Sequence, residues 1–116
     1  MAIYENKGQY ILMKPSNPYS LEVYKKALYE VRALCEQYQL TKILADLRGR
    51  DENIPVADNF LLGVEAANVF GPGIQFAILA PIALVDKLGE IAAVNRGGNV
   101  FITDSRAKAL RWLGVK

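Results

Sequence analysis

Apolar and polar positions alternate at the start of the chain and then settle into a helical rhythm. Ile3-Tyr4-Glu5 and Gln9-Tyr10-Ile11-Leu12-Met13 are β-rich runs, and Asn6-Lys7-Gly8 between them has turn chemistry. A hairpin is expected, ended by Pro15 and Pro18. Ser20 can cap a helix, with Tyr19 and Tyr24 placed to pack across its first turn. Tyr24, Leu28, Val31, Cys35 and Tyr38 then recur at helical spacing, with Lys25, Lys26, Glu30, Arg32 and Glu36 on the other side. This predicts an amphipathic helix over 21–38.

A short apolar run, Ile43 to Leu47, leads into the polar loop Arg48 to Asn53. A second helix is expected from Ala57 to Phe70, with Phe60, Leu61, Val64 and Ala67 as its inner face and Gly71-Pro72-Gly73 as its stop. Ile74 to Leu79 reads as a strand. Pro81 fits the first turn of a third helix that buries Leu84, Val85, Leu88, Ile91 and Ala92 and ends at Gly97-Gly98. Asn99 to Thr103 is the last strand. Asp104 is expected to cap a closing helix carrying Ala107, Leu110, Trp112 and Leu113.

The order is ββαβαβαβα. Strands short and continuously apolar are expected to be parallel and covered on both faces. The expectation is therefore an α/β domain over 1–116, with a mixed, mostly parallel sheet of four to five strands, an N-terminal hairpin and four helices. Its 116 residues fit a single domain, and a hydrophobic fraction of 52% supports a packed core.

Charge and residue inventory narrow the chemistry. The net charge of +2 lacks the dense basic stripe that nucleic acid requires, and Lys25-Lys26 is the only adjacent basic pair. The longest strongly apolar stretch, 74–88, is broken by Gln75, Pro81, Asp86 and Lys87, whereas a membrane span needs ~20 nearly uninterrupted apolar residues. The N-terminus has no signal-peptide pattern, and the one cysteine, Cys35, can form no internal disulfide. A cytoplasmic setting is expected. Cys35 lies on the apolar helix face, as a small core hydrophobe would, and Tyr10, Tyr24, Tyr29 and Tyr38 are expected to be core or half-buried. The chain has no histidine, which removes Ser-His-Asp and Cys-His catalysis and the common zinc sites. No phosphate-binding glycine loop precedes a helix. No metal, cofactor or catalytic residue is assigned.

In an open parallel sheet, ligands sit beyond the carboxyl ends of the strands. Asp46, Arg48, Arg50 and Arg106 map to that edge. The arginines can bind a phosphate or carboxylate, or they can be solvated surface charges. Arg106, in a helix's first turn, sits where the macrodipole disfavours a cation. Asp46 can act as a base or ion ligand, or bond to the amides of the loop after it. Asp51, Glu52 and Asp58 match no calcium-loop spacing and read as a solvated loop.

Ile43-Leu44-Ala45-Asp46-Leu47-Arg48-Gly49 resembles the central strand of the STAS fold, that of the anti-sigma-factor antagonists and SpoIIAA-like proteins. Val56 to Val64 is similar to the helix start that carries the family's Asp-Ser-Ser-Gly motif, and Ala107 to Leu113 resembles the closing helix of the SpoIIAA-like group. The resemblance spans roughly 9–113. It implies a non-catalytic regulatory or protein-interaction module whose docking surface includes Asp58, Asn59 and Phe60. Asp58 falls on the family's Asp, but Asn59 replaces the phosphorylated Ser and cannot accept a phosphoryl group. The kinase-regulated switch is therefore not carried over. A protein partner or self-association, as a homodimer, is expected. The alternative, by analogy with the related SEC14-type fold, is a domain for a small anionic or lipid-like ligand.

Overall fold

Each strand of the sheet lies beside the one before it in the chain. In the computed structural model, the described residues are 2–15, 19–48, 54–81 and 87–115. Among them are β1 (Ile3–Asn6), β2 (Ile11–Lys14), α1 (Leu21–Tyr38), β3 (Lys42–Asp46), α2 (Val56–Phe70), β4 (Gln75–Leu79), α3 (Lys87–Asn95), β5 (Asn99–Thr103) and α4 (Arg106–Leu113). The sheet order is β1-β2-β3-β4-β5. β1 and β2 pair antiparallel, and every later pair is parallel. The protein is thus α/β, with a five-stranded mixed sheet and four helices.

The hairpin turn falls at Gly8-Gln9. The Lys7 amide donates to the Tyr10 carbonyl at 2.9 Å, and the Gly8 amide donates to Asn6 Oδ1 at 2.8 Å. Gly8 has φ 92°, a conformation that favours glycine. The second strand starts two residues later than the apolar run suggests, because Gln9 and Tyr10 serve the turn.

Strand pleating sends successive side chains to opposite faces. Ile11, Met13, Ile43, Ala45, Phe76 and Val100 meet α1, α2 and α3. Leu44, Ala77 and Leu79 meet Ala109 and Leu113 of α4. Three helices therefore cover one face and a single helix covers the other.

Helix α1 has the predicted bounds. Ser20 Oγ accepts from the Val23 amide at 3.4 Å, and the Tyr19 and Tyr24 rings meet edge-on with centroids 4.8 Å apart. Tyr24, Ala27, Leu28, Val31 and Cys35 are buried, but Tyr29 and Tyr38 are exposed, contrary to expectation. Tyr38 ends the helix at the margin of the sheet, and Tyr29 turns outward to Glu65 of α2.

The inner face of α2 also differs from expectation. Gly63, Ala66, Ala67 and Phe70 are buried at helical spacing, whereas Phe60 is 37% and Leu61 43% exposed. The small residues let the backbone approach: a Cβ placed on Gly98 would sit 3.2 Å from the Ala67 Cβ and 3.0 Å from the Ala93 carbonyl. In α3, Ala92 and Ala93 are buried while Ile91 is 54% exposed, which corrects its inner face in the same sense. Leu84 and Val85 lie outside the described residues. Ser105, not Asp104, caps α4: its Oγ accepts from the Lys108 amide at 3.2 Å. Thr103 Oγ1 accepts from the Ser105 amide, so the strand ends in a turn before the helix starts. Ala107 is exposed on α4, while Trp112 stacks on Phe101 at 5.4 Å.

Candidate functional site

The carboxyl ends of β2 to β5 share one edge of the sheet with the N-termini of α1, α2 and α4. The residues singled out at that edge divide into two groups, one at the end of β3 and one at the start of α2.

Asp46 closes β3. Its Oδ1 accepts from the Arg48 amide at 3.0 Å and from Arg48 Nε at 3.1 Å, and Oδ2 accepts from Arg48 Nη2 at 3.0 Å. The two side chains form a bidentate pair, the strong geometry for a guanidinium and a carboxylate. Burial pushes the Asp46 carboxyl up, but the Arg48 hydrogen bonds, its charge and that of Lys14 more than offset this. The carboxyl ends below its ordinary value, which suits a fixed anion rather than a proton acceptor at neutral pH. The second reading of Asp46, a bond to the following loop, is the arrangement present. Arg48 is engaged by the same contact.

Arg106 lies exposed in the first turn of α4 and its Nη2 donates to the Tyr10 hydroxyl at 3.4 Å. Tyr10 is buried under α4, and its ring spans the face between β2 and that helix. Arg50, Asp51 and Glu52 lie outside the described residues. Lys14, which sequence reasoning did not single out, also acts on Asp46 among the described residues. The pleat places it: Met13 pairs with Ala45, so Lys14 comes level with Asp46 on the α4 side. Among the described residues, no group of three metal-ligating side chains is present.

Strand order also bears on this edge. A binding crevice forms where the strand order of an open sheet reverses and neighbouring crossovers leave on opposite faces. Here the order is sequential, and α1, α2 and α3 share one face. The edge lacks that reversal.

The second group opens α2. Asp58 is half-buried in the first turn, and its Oδ2 accepts from the Tyr19 hydroxyl at 2.8 Å. That bond ties the start of α2 to the start of α1 across 39 residues. Asn59 is half-buried, and its amide donates to the Pro55 carbonyl at 3.0 Å. Phe60 faces solvent with the Arg96 guanidinium 5.2 Å from its ring centroid, a cation–π distance. Leu61 is exposed beside it, followed by Ile91 and Val94 of α3, each about half exposed. Asp58 and Glu65 are the only charged residues of α2. The outer surface of this central helix is therefore poor in charge, and sequence reasoning missed it by assigning Phe60 and Leu61 to the core. The scarcity of charge over 56–70 was the available signal.

Cys35 is buried, and burial together with the nearby Glu36 pushes its thiol up to about 11. It is therefore a poor nucleophile at neutral pH. Among the described residues, no helix is long and apolar enough to cross a membrane. Comparison with protein-family models gives no match, and neither curated proteins nor solved structures yield a significant one.

Proposed function

We propose that the chain is a non-catalytic protein-docking module of the STAS or SpoIIAA-like kind, using the outer surface at the start of α2. The observation that carries this reading is the exposure of Phe60 and Leu61 next to Asp58, on a helix otherwise almost free of charge. Aromatic and aliphatic side chains held outward on rigid helices are what a partner's desolvated contact uses. The Tyr19 bond to Asp58 holds this turn in place. The element order on which the resemblance rests is the one present among the described residues. With Asn59 in place of a phosphorylatable Ser, docking here would be constitutive or controlled by other means.

The small anionic or lipid-like ligand has less support. Arg48 is paired with Asp46, and the sheet has no reversal of strand order. A site-specific photocross-linker at Leu61, with a second at exposed Lys108 as control, tests the docking reading in the cells that make the protein. Cross-links to one defined protein from position 61 alone are expected. Equal labelling from both positions, or none from 61, would sink it.

A further inference from the structure

The single helix on the far face of the sheet does not span it. Helix α4 packs chiefly across β3, β4 and β5, and β1 and β2 lie beyond β3. Neighbouring strands are about 4.8 Å apart and packed helices about 8–10 Å apart, so two strands take the width of one helix. Among the described residues, no helix lies over β1 and β2 on the α4 side.

The strip left there has an apolar floor. The pleat puts Ile3 and Leu12 on the α4 side, because their neighbours Tyr4, Ile11 and Met13 belong to the opposite face. Ile3 is 69% exposed. Leu12, and Leu110 of α4, pack against the cluster under α4 and stay partly exposed. Arg106 lies one helical turn before Leu110 and reaches the Tyr10 hydroxyl beside β2, so this side of α4 forms a wall along the strip.

The rim is basic. Lys14 stands exposed at the end of β2, and Lys42 opens β3 on the same side, with its Nζ beside Gly114. They lie toward opposite ends of two parallel strands. Among the described residues, Lys14, Lys42 and Arg106 form no ion pair. The carboxylates that β1 and β3 present on this face, Glu5 and Asp46, are already held by Lys7 and Arg48. Every charged residue of α4 is a base. Positions 14, 42 and 106 are far apart in the chain, so only the fold gathers this charge. An apolar floor one helix wide, with cations along its wall and at both ends, is complementary to a helix with an apolar face between acidic flanks.

We propose that a partner protein lays an acidic amphipathic helix over β1 and β2, alongside α4, as the second helix of that face. It covers Ile3, Leu12 and Leu110 and sets carboxylates against Lys14, Lys42 and Arg106. The strip is on the side of the sheet opposite α2, so this inference does not depend on the docking reading.

The probe is a synthetic peptide of about 14 residues, long enough to hold a helix, with Leu at i, i+3, i+4 and i+7, Glu on the flanks and Ala elsewhere. A second peptide carries Lys for Glu. Each is titrated into the isotope-labelled full chain while amide chemical shifts are recorded. The Glu peptide is expected to give saturable shifts at Ile3, Leu12, Lys14, Arg106 and Leu110. Lys14→Glu should weaken it roughly tenfold and strengthen the Lys peptide, Ile3→Asp should weaken both, and L61D should change neither. Ile3 and Lys14 are exposed, so circular dichroism should be the same in all variants. No saturable shift at millimolar Glu peptide overturns the proposal, as does equal binding of the two peptides. Shifts confined to α2 and lost in L61D overturn it too. Concentration-dependent shifts of the strip without peptide would make a second copy the occupant. Broadening of the same amides by phosphatidylserine vesicles, with no response to the peptide, would make it a membrane. Either result overturns the proposal.

Discussion

The two faces of the sheet solve the covering problem in opposite ways. On the three-helix face, α2 and α3 turn small residues inward: Gly63, Ala66, Ala67, Ala92 and Ala93 are all buried. The helices sit close, and large side chains such as Phe60, Leu61, Ile91 and Val94 are left outside. On the other face, α4 alone covers Leu44, Ala77 and Leu79, and it does so with bulk, burying Leu113 and stacking Trp112 on Phe101. Closeness marks the contact of α2 with α3, with Phe70 and Phe76 filling the space beneath, whereas α4 relies on volume. The contact made by closeness leaves apolar side chains on the outer surface of its helices for a partner.

The largest effect should come from removing volume under α4. Leu113 is 1% exposed among Tyr10, Leu44 and Leu79. Leu113→Ala is expected to cost about 2–5 kcal/mol in urea unfolding, because one short helix has little means of collapsing into the gap. A loss below about 1 kcal/mol would mean that α4 is only loosely seated.

Adding volume should be the injury on the opposite face. Gly98→Ala places a methyl 3.0 Å from the Ala93 carbonyl and 3.2 Å from the Ala67 Cβ. It is expected to cost about 1–3 kcal/mol. Pairing it with Ala67→Gly should return part of that loss, since the second change removes one of the clashing atoms. Additive losses in the double variant would show that the close approach of α2 is not what limits position 98.

A smaller effect, seen only in alkali, should sharpen how α1 is attached to the hairpin. Burial first, then the bond from the Tyr4 hydroxyl to Glu30 at 2.8 Å and the Glu30 charge, push the Tyr4 hydroxyl well above its ordinary 10.0. The folded value is above the unfolded one. Its stabilising contribution is therefore complete below pH 10 and is lost as pH rises toward the folded value. Tyr4→Phe should flatten that part of the stability–pH curve. An identical alkaline limb in the variant would assign the loss to other groups.

Much of the architecture was legible in the sequence, for identifiable reasons. The bounds of α1 were readable because its polar and apolar faces are cleanly separated and Ser20 marks its start. The strand Asn99–Thr103 was bounded by Gly97-Gly98 before it and polar residues after it. The orientation of α2 was not legible. With Asp58 and Glu65 as its only charges, its periodicity offers two apolar stripes, and nothing local says that the one made of small residues packs inward. At the candidate site, Asp58, Asn59 and Phe60 could be placed at a helix start because the apolar pattern already predicted a helix from Ala57. Arg48 lies two residues from its partner Asp46, within reach of sequence reasoning. The Tyr19–Asp58 and Tyr29–Glu65 bonds, across 39 and 36 residues, needed the fold.

The sequential strand order has a kinetic meaning. Each new strand joins an edge that the preceding segment has just created, so every ladder closes a loop of no more than one helix and its turns. Closing loops of that length costs less chain entropy than pairing strands out of sequence. The chain can lay down its sheet in the direction of synthesis, one strand at a time, with a fresh edge open at each stage. Lys87 and Glu90, whose side chains bond to the Ile102 carbonyl and amide, come before β5 in the chain, so they have emerged before it docks. β5 is the last strand to join, and only α4 remains to cross to the far face.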